Sequence, residues 1–244
     1  MKNYAYWAIW TGCTPISEGC EHCVVINKPF YGAFRPFVTD LEKGGMVKLC
    51  PSSDFFLQDA DKFREQAWST IRENKDYVFM IITKRANRII ECLPADWGEG
   101  YDNVILCVTV ENQARADERL PLFAQIPCKH RWITCSPLLE EIDLSRYLST
   151  GKFESVDAHG ERSYHGEEIR ETHYNWVQNL HNQCAQYNLR FHFLQVGQNF
   201  IMPDGTQVQD PPNTVCYHSD LADSLNLNIE KSIEFNLETL IAVY

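Results

Sequence analysis

Residues 10 to 23, W-T-G-C-T-P-I-S-E-G-C-E-H-C, constrain this chain more than any other stretch, because they set Cys13, Cys20 and Cys23 into one loop with C-x6-C-x2-C spacing. Gly12, Pro15, Ser17 and Gly19 let the backbone curl, so the three thiolates can converge on one centre. The segment ahead of the loop is apolar, but it is aromatic-rich, weakly basic and without a small-residue cleavage site. It reads poorly as a secretion signal, and the cytoplasm is the expected compartment. There the ten cysteines stay reduced, and a cluster of thiols serves a metal or catalysis.

Short β-rich apolar runs occupy 4–10, 46–49, 78–82, 104–108, 130–134, 154–158 and 190–194, with helix-length stretches between several of them. The spacing predicts helices over 61–74, with Phe63, Ala67, Trp68 and Ile71 on one face, and over 174–187, with Trp176, Val177, Leu180 and Cys184. Runs such as V-F-M-I-I and V-I-L-C-V are continuously apolar, as in a parallel sheet covered on both sides. The class is therefore α/β, an open or closed TIM-like (β/α) barrel of six or seven right-handed units. Residues 1–197 form this barrel, and 198–244 form a C-terminal hairpin and tail packed on it, the hairpin turning at Pro203-Asp204-Gly205. Residues 148–173, with Gly151, Gly160 and Gly166, read as a short strand and a long loop. No apolar run approaches the roughly 18 residues of a membrane span, so no membrane partner is expected. The net charge of -11 disfavours a nonspecific polyanion binder, though it permits a local basic groove.

The loop follows the first strand, at the carboxyl end of the sheet, where parallel α/β folds carry their active sites. Three ligands rather than four is the informative count. A closed zinc site wants four, whereas a cubane iron-sulfur cluster on three cysteines leaves one iron open. The loop alone also allows a Cys3His zinc site using His22 or a remote histidine, and a redox dithiol at Cys20 and Cys23. Cys107 and Cys135 sit in strand-like runs and read as core residues, His173 and His192 as ordinary hydrogen-bonding histidines, and Arg115 and Asp117 as solvated helix charges.

The cysteine stretch, together with L-C-P-S-S-D-F-F, I-T-K-R-A-N-R-I, C-V-T-V-E-N-Q-A-R-A-D-E-R-L-P-L-F, C-S-P-L-L-E-E-I-D-L, H-G-E at 159–161, H-Y-N-W-V-Q-N-L-H-N-Q-C and F-H-F-L-Q-V-G, resembles a family. This is the phage-associated three-cysteine family of unknown function, radical S-adenosylmethionine-like and related to spore photoproduct lyase. The blocks span most of residues 7–197 in the family's order. The resemblance implies a partial barrel of the radical S-adenosylmethionine type, with Cys13, Cys20 and Cys23 binding a 4Fe-4S cluster whose open iron takes S-adenosylmethionine. One-electron reduction then gives methionine and a 5'-deoxyadenosyl radical, which abstracts hydrogen from an unknown substrate. An electron donor is implied as a partner, and nucleic acid only by family analogy. The alternative is a noncatalytic zinc- or cluster-stapled phage accessory or binding module.

By the same resemblance, the cofactor contacts follow the strands: Ser52, Ser53 and Asp54 the second, Thr83, Lys84 and Arg85 the third, Thr109, Glu111 and Asn112 the fourth. Ser136 follows the fifth, and Gly160 and Glu161 the sixth. Lys84 or Arg85 suits the methionyl carboxylate, Glu111 or Asn112 the ribose hydroxyls, and Gly160 a close backbone approach to the ligand. The competing reading makes Asp54, Thr83 and Asn112 helix caps. The chain departs from the wider radical enzymes in its longer first cysteine gap, and from the family in Leu57, Ser136 and His159, where a histidine, a glutamate and a glycine are usual.

Overall fold

Each parallel strand sends alternate side chains to opposite faces of the sheet, so one run of sequence serves two environments. The computed structural model describes residues 4–25, 28–32, 34–163, 168–211, 219–237 and 241–244. Its strands are β1 (Tyr4–Trp7), β2 (Met46–Leu49), β3 (Val78–Thr83), β4 (Val104–Thr109), β5 (His130–Cys135), β6 (Ser155–His159), β7 (Thr172–His173) and β8 (Arg190–Gln195). Beyond these come β9 (Phe200–Ile201), β10 (Gln207–Val208), β11 (Glu234–Asn236) and β12 (Ile241–Val243). Seven pair in parallel in the order β1-β2-β3-β4-β5-β6-β8, a half-barrel compatible with a partial β/α barrel.

The convex face carries Phe79, Ile81, Leu106, Val108, Val156 and Phe191 into the main core. Three multi-turn helices cover it: α1 (Asp61–Glu73) with Trp68 and Ile71, α2 (Gln113–Phe123) with Leu120 and Phe123, and, after the single turn of α3 (Ser145–Leu148), α4 (Tyr174–Gln186) with Val177 and Leu180. The observed helices α1 and α4 each end one residue before the predicted limit. Helices are fewer than strict alternation implies, because among the described residues the β1–β2 and β3–β4 connections carry only short 3-10 turns. Pro15, Pro29 and Pro36 in the first, and Pro94 in the second, interrupt helical hydrogen bonding.

The described residues of the tail pack back on the barrel. The β9–β10 hairpin turns where expected and joins β7, while α5 (Asp220–Ser224) packs on β8. The antiparallel β11–β12 pair lays Phe235 and Ala242 against Met46, Met80, Ile105 and Trp132 on the concave face. Gly166 and Pro212 lie outside the described residues.

Candidate functional site

The cysteine loop lies across the carboxyl ends of the strands, and the residues that follow each strand hold it there. After β2, Ser52 O accepts from Gly12 N at 3.0 Å and Ser53 Oγ donates to Gly12 O at 2.6 Å. After β3, Arg85 donates from Nη2 to Thr14 O at 2.7 Å and from Nη1 to Asp54 Oδ2 at 3.0 Å, with the Cys13 sulfur 3.6 Å from Nη1. Asp54 also accepts from Thr83 Oγ1, from Lys84 N and from Phe56 N. Both members of this ion pair are buried, so its desolvation is balanced by a full set of donors.

After β4, Glu111 is wholly buried; one carboxylate oxygen accepts from Ser17 Oγ and the other from Arg119 at 2.7 Å. A β-carbon on Gly19 would land inside the Glu111 side chain, so only glycine lets the loop backbone sit this close. After β6, Glu161 binds Arg170, whose guanidinium reaches on to Glu18 O at 3.1 Å. Burial works to raise the Glu161 carboxyl, but the Arg170 hydrogen bonds outweigh it and hold it below the usual range. His22 Nδ1 stands 3.1 Å from Glu161 Oε2, near enough for an ion pair yet out of line for a hydrogen bond.

Cys13, Cys20 and Cys23 are free and each partly exposed. Burial pushes the Cys13 thiol up, and Arg85 pulls against it without reversing it. Among the described residues, no group of three or more Cys, His, Asp and Glu side chains is gathered to hold a single metal ion. As donors the three thiols fit an iron-sulfur cluster, being soft, reduced and within one loop, and a cubane spreads its ligands over separate irons.

The strand-end residues expected to contact cofactor divide into two groups. Ser53, Lys84, Thr109 and Ser136 line a cavity of about 190 Å3 beneath the loop, where Lys84 Nζ lies 3.3 Å from Ser136 O and 3.7 Å from Glu111 Oε1. Asp54, Thr83, Arg85, Glu111 and Glu161 instead form the seat of the loop. Asn112 caps α2 by accepting from Arg115 N at 2.9 Å, as the capping alternative has it, whereas Asp54 and Thr83 cap no helix and bind each other. Gly160 makes room for the Val196 carbonyl rather than for a ligand. Cys107 and Cys135 are fully buried, and Arg115 pairs at the surface with Glu18 and Glu118.

Arg119 and Arg170 escaped the sequence reading. The signal was weak, since each is an ordinary-looking charge on a helix or loop and only the fold aims it at a buried glutamate. Among the described residues, no helix is long and apolar enough to cross a membrane.

The chain matches no curated protein and no solved structure. A family model described as "Protein of unknown function (DUF5131)" matches residues 36–222. The matched segment starts downstream of Cys23, so it includes Asp54, Arg85, Glu111 and Glu161 but not the three cysteines. With most of its length covered by that match, the chain belongs to the DUF5131 family of proteins of unknown function.

Proposed function

We propose that the protein is a radical S-adenosylmethionine enzyme, with Cys13, Cys20 and Cys23 holding a 4Fe-4S cluster at the mouth of a half-barrel of the radical S-adenosylmethionine type. One observation carries this reading: a three-thiol loop is fastened over the carboxyl edge of a parallel sheet by side chains from the ends of β2, β3, β4 and β6. That edge is where barrel folds perform chemistry. When bound, the cluster supplies the single electron that splits S-adenosylmethionine to methionine and a carbon radical.

The chain's own residues bind, orient and shield. Lys84 sets an ammonium at the cavity mouth for a ligand carboxylate, and the Ser53, Thr109 and Ser136 hydroxyls offer hydrogen bonds beside it. Arg85 keeps positive charge against the Cys13 sulfur, favouring the thiolate that ligation requires. Arg85 is not the free carboxylate partner that the sequence allows, since Asp54 and Thr14 occupy it, and both Glu111 oxygens are engaged away from any ribose. The relation to spore photoproduct lyase, the phage association, a cytoplasmic location and an external electron donor belong to this same proposal.

Anaerobic purification with iron, acid-labile sulfide and zinc analysis tests it. About four irons and four sulfides per chain are expected, with loading lost in Cys13→Ala, Cys20→Ala and Cys23→Ala and kept in Cys107→Ala. The loaded protein, given S-adenosylmethionine and a strong reductant, yields 5'-deoxyadenosine. Stoichiometric zinc without sulfide would replace this reading with a metal-stapled binding module.

A further inference from the structure

Below the mouth, the concave face carries a row of polar side chains that the cysteine loop does not use. Strand register sets Thr109 opposite Thr134, Thr134 opposite Asp157, and Asp157 opposite His192, so two hydroxyls, a carboxylate and an imidazole lie side by side across β4, β5, β6 and β8. Asp157 is only 6% exposed, and its one side-chain hydrogen bond among the described residues is a 3.5 Å contact from Arg190 Nη1. The Thr109 and Thr134 side chains, each 3% exposed, have no hydrogen bond among the described residues and border the 190 Å3 cavity with Asp157. A second cavity of about 240 Å3 continues inward and shares Lys48, Met80, Asp157 and Leu194 with the first.

A buried carboxylate with one long contact is under-partnered, and such groups in native proteins call for a missing donor. The donor's nature follows from the walls. A carboxylate only accepts, so the guest must bring O–H or N–H groups. Lys48 and Arg190 flank Asp157, so two cations stand against one carboxylate in the wall of the inner cavity, which repels an amine and attracts an anion. Burial depresses the Lys48 ammonium, with Asp157 opposing, as for a charge seated in a low-dielectric wall. Each cavity falls below the roughly 300 Å3 at which drug-sized pockets begin, so the guest is small. Met80 and Leu194 give it an apolar side.

We infer that the junction of the two cavities, at Lys48, Thr134 and Asp157 and away from the Lys84 mouth, is a second ligand site for a small hydroxylated organic anion: Asp157 and Thr134 receive its hydroxyl groups, and Lys48 receives its acid group. A hydroxy acid and a sugar phosphate share this chemistry. The inference goes beyond the radical reading and does not need it, because binding requires neither cluster nor reductant.

Calorimetric titration of the full chain with gluconate and with ribose 5-phosphate tests it, glucose and inorganic phosphate serving as half-ligands. At least one of the two anions saturates, binding about tenfold or more tighter than either half-ligand, and which one does so identifies the acid group. Asp157→Asn and Lys48→Met each weaken it by about tenfold or more, the span of a hydrogen bond to a charged group. The near-isosteric Thr134→Val weakens it less, and keeps the test open should Asp157→Asn fail to fold; the exposed Lys152→Met leaves it unchanged. Saturation by neither anion, wild-type affinity in both Asp157→Asn and Lys48→Met, or stoichiometric displacement of the probe by S-adenosylmethionine would each overturn the assignment, the last by making the cavity the nucleoside's own seat.

Discussion

The two faces of the seven-stranded sheet are made by the same strands and obey different rules. On the convex face Phe79, Ile81, Leu106, Val108, Val156 and Phe191 are wholly or almost wholly buried, every one apolar and pressed under helices. On the concave face, the neighbouring residues of those strands include Thr109, Thr134, Asp157, Arg190 and His192, interleaved with Met80 and Trp132. The difference teaches where selection for stability ends. A helix-covered face gains from each apolar atom removed from water, whereas a face bordering cavities carries polar groups that packing alone would not favour. The mouth is a third case: its buried charges are as polar as the concave row, but Asp54 and Glu111 are saturated with partners.

The contrast breaks first at the convex core. Phe79→Ala should lower unfolding free energy by about 3–5 kcal/mol in urea titrations, and a smaller loss would show that this face is not close-packed. Asp54→Ala, which strands the buried Arg85, should lose a comparable 3–5 kcal/mol and free the Cys13 thiol for faster alkylation. On the concave face the loss should be smaller. Lys48→Met removes a charge that burial already disfavours and creates no void, so it should shift the urea midpoint of the ligand-free protein less than Asp54→Ala does.

The pH dependence sharpens the same point. Lys48 is held below its ordinary pKa in the folded chain, so its charged form weighs against folding at neutral pH. That weight lifts as pH rises from the depressed folded value toward about 10.4. Wild-type stability should therefore gain relative to Lys48→Met over that alkaline window, and parallel curves would remove the distinction between the faces. The smallest effect belongs to Asn112→Ala, which deletes the α2 cap and should cost about 1 kcal/mol.

The strands were legible because parallel β-runs announce themselves: β2 coincides with its predicted range, and β3, β4, β5 and β8 each extend one residue beyond theirs. The run predicted over 4–10 keeps only Tyr4–Trp7 as strand, since the chain then turns into the loop that Gly12 and Ser53 pin down. A barrel-like α/β fold followed from the alternation, which left an open and a closed sheet equally possible; the seven-stranded sheet is open. The candidate site was legible by position but not by role. Sequence located Asp54, Arg85, Glu111 and Glu161 at strand ends, yet whether such a charge meets a ligand or a neighbouring loop depends on contacts as remote as Ser17 with Glu111. Lys48, Asp157 and Arg190 passed unnoticed, although a charge inside an otherwise apolar parallel strand has to face either an opposite charge or a cavity.

The tight seat of Gly19 on Glu111, with Ser17 and Arg119 bracketing the same carboxylate, has a consequence for what the loop needs in order to hold together. Small zinc modules collapse when stripped because the ion is their main fastener. Here the polypeptide carries its own rivets, so the loop keeps its shape by contacts of the chain alone.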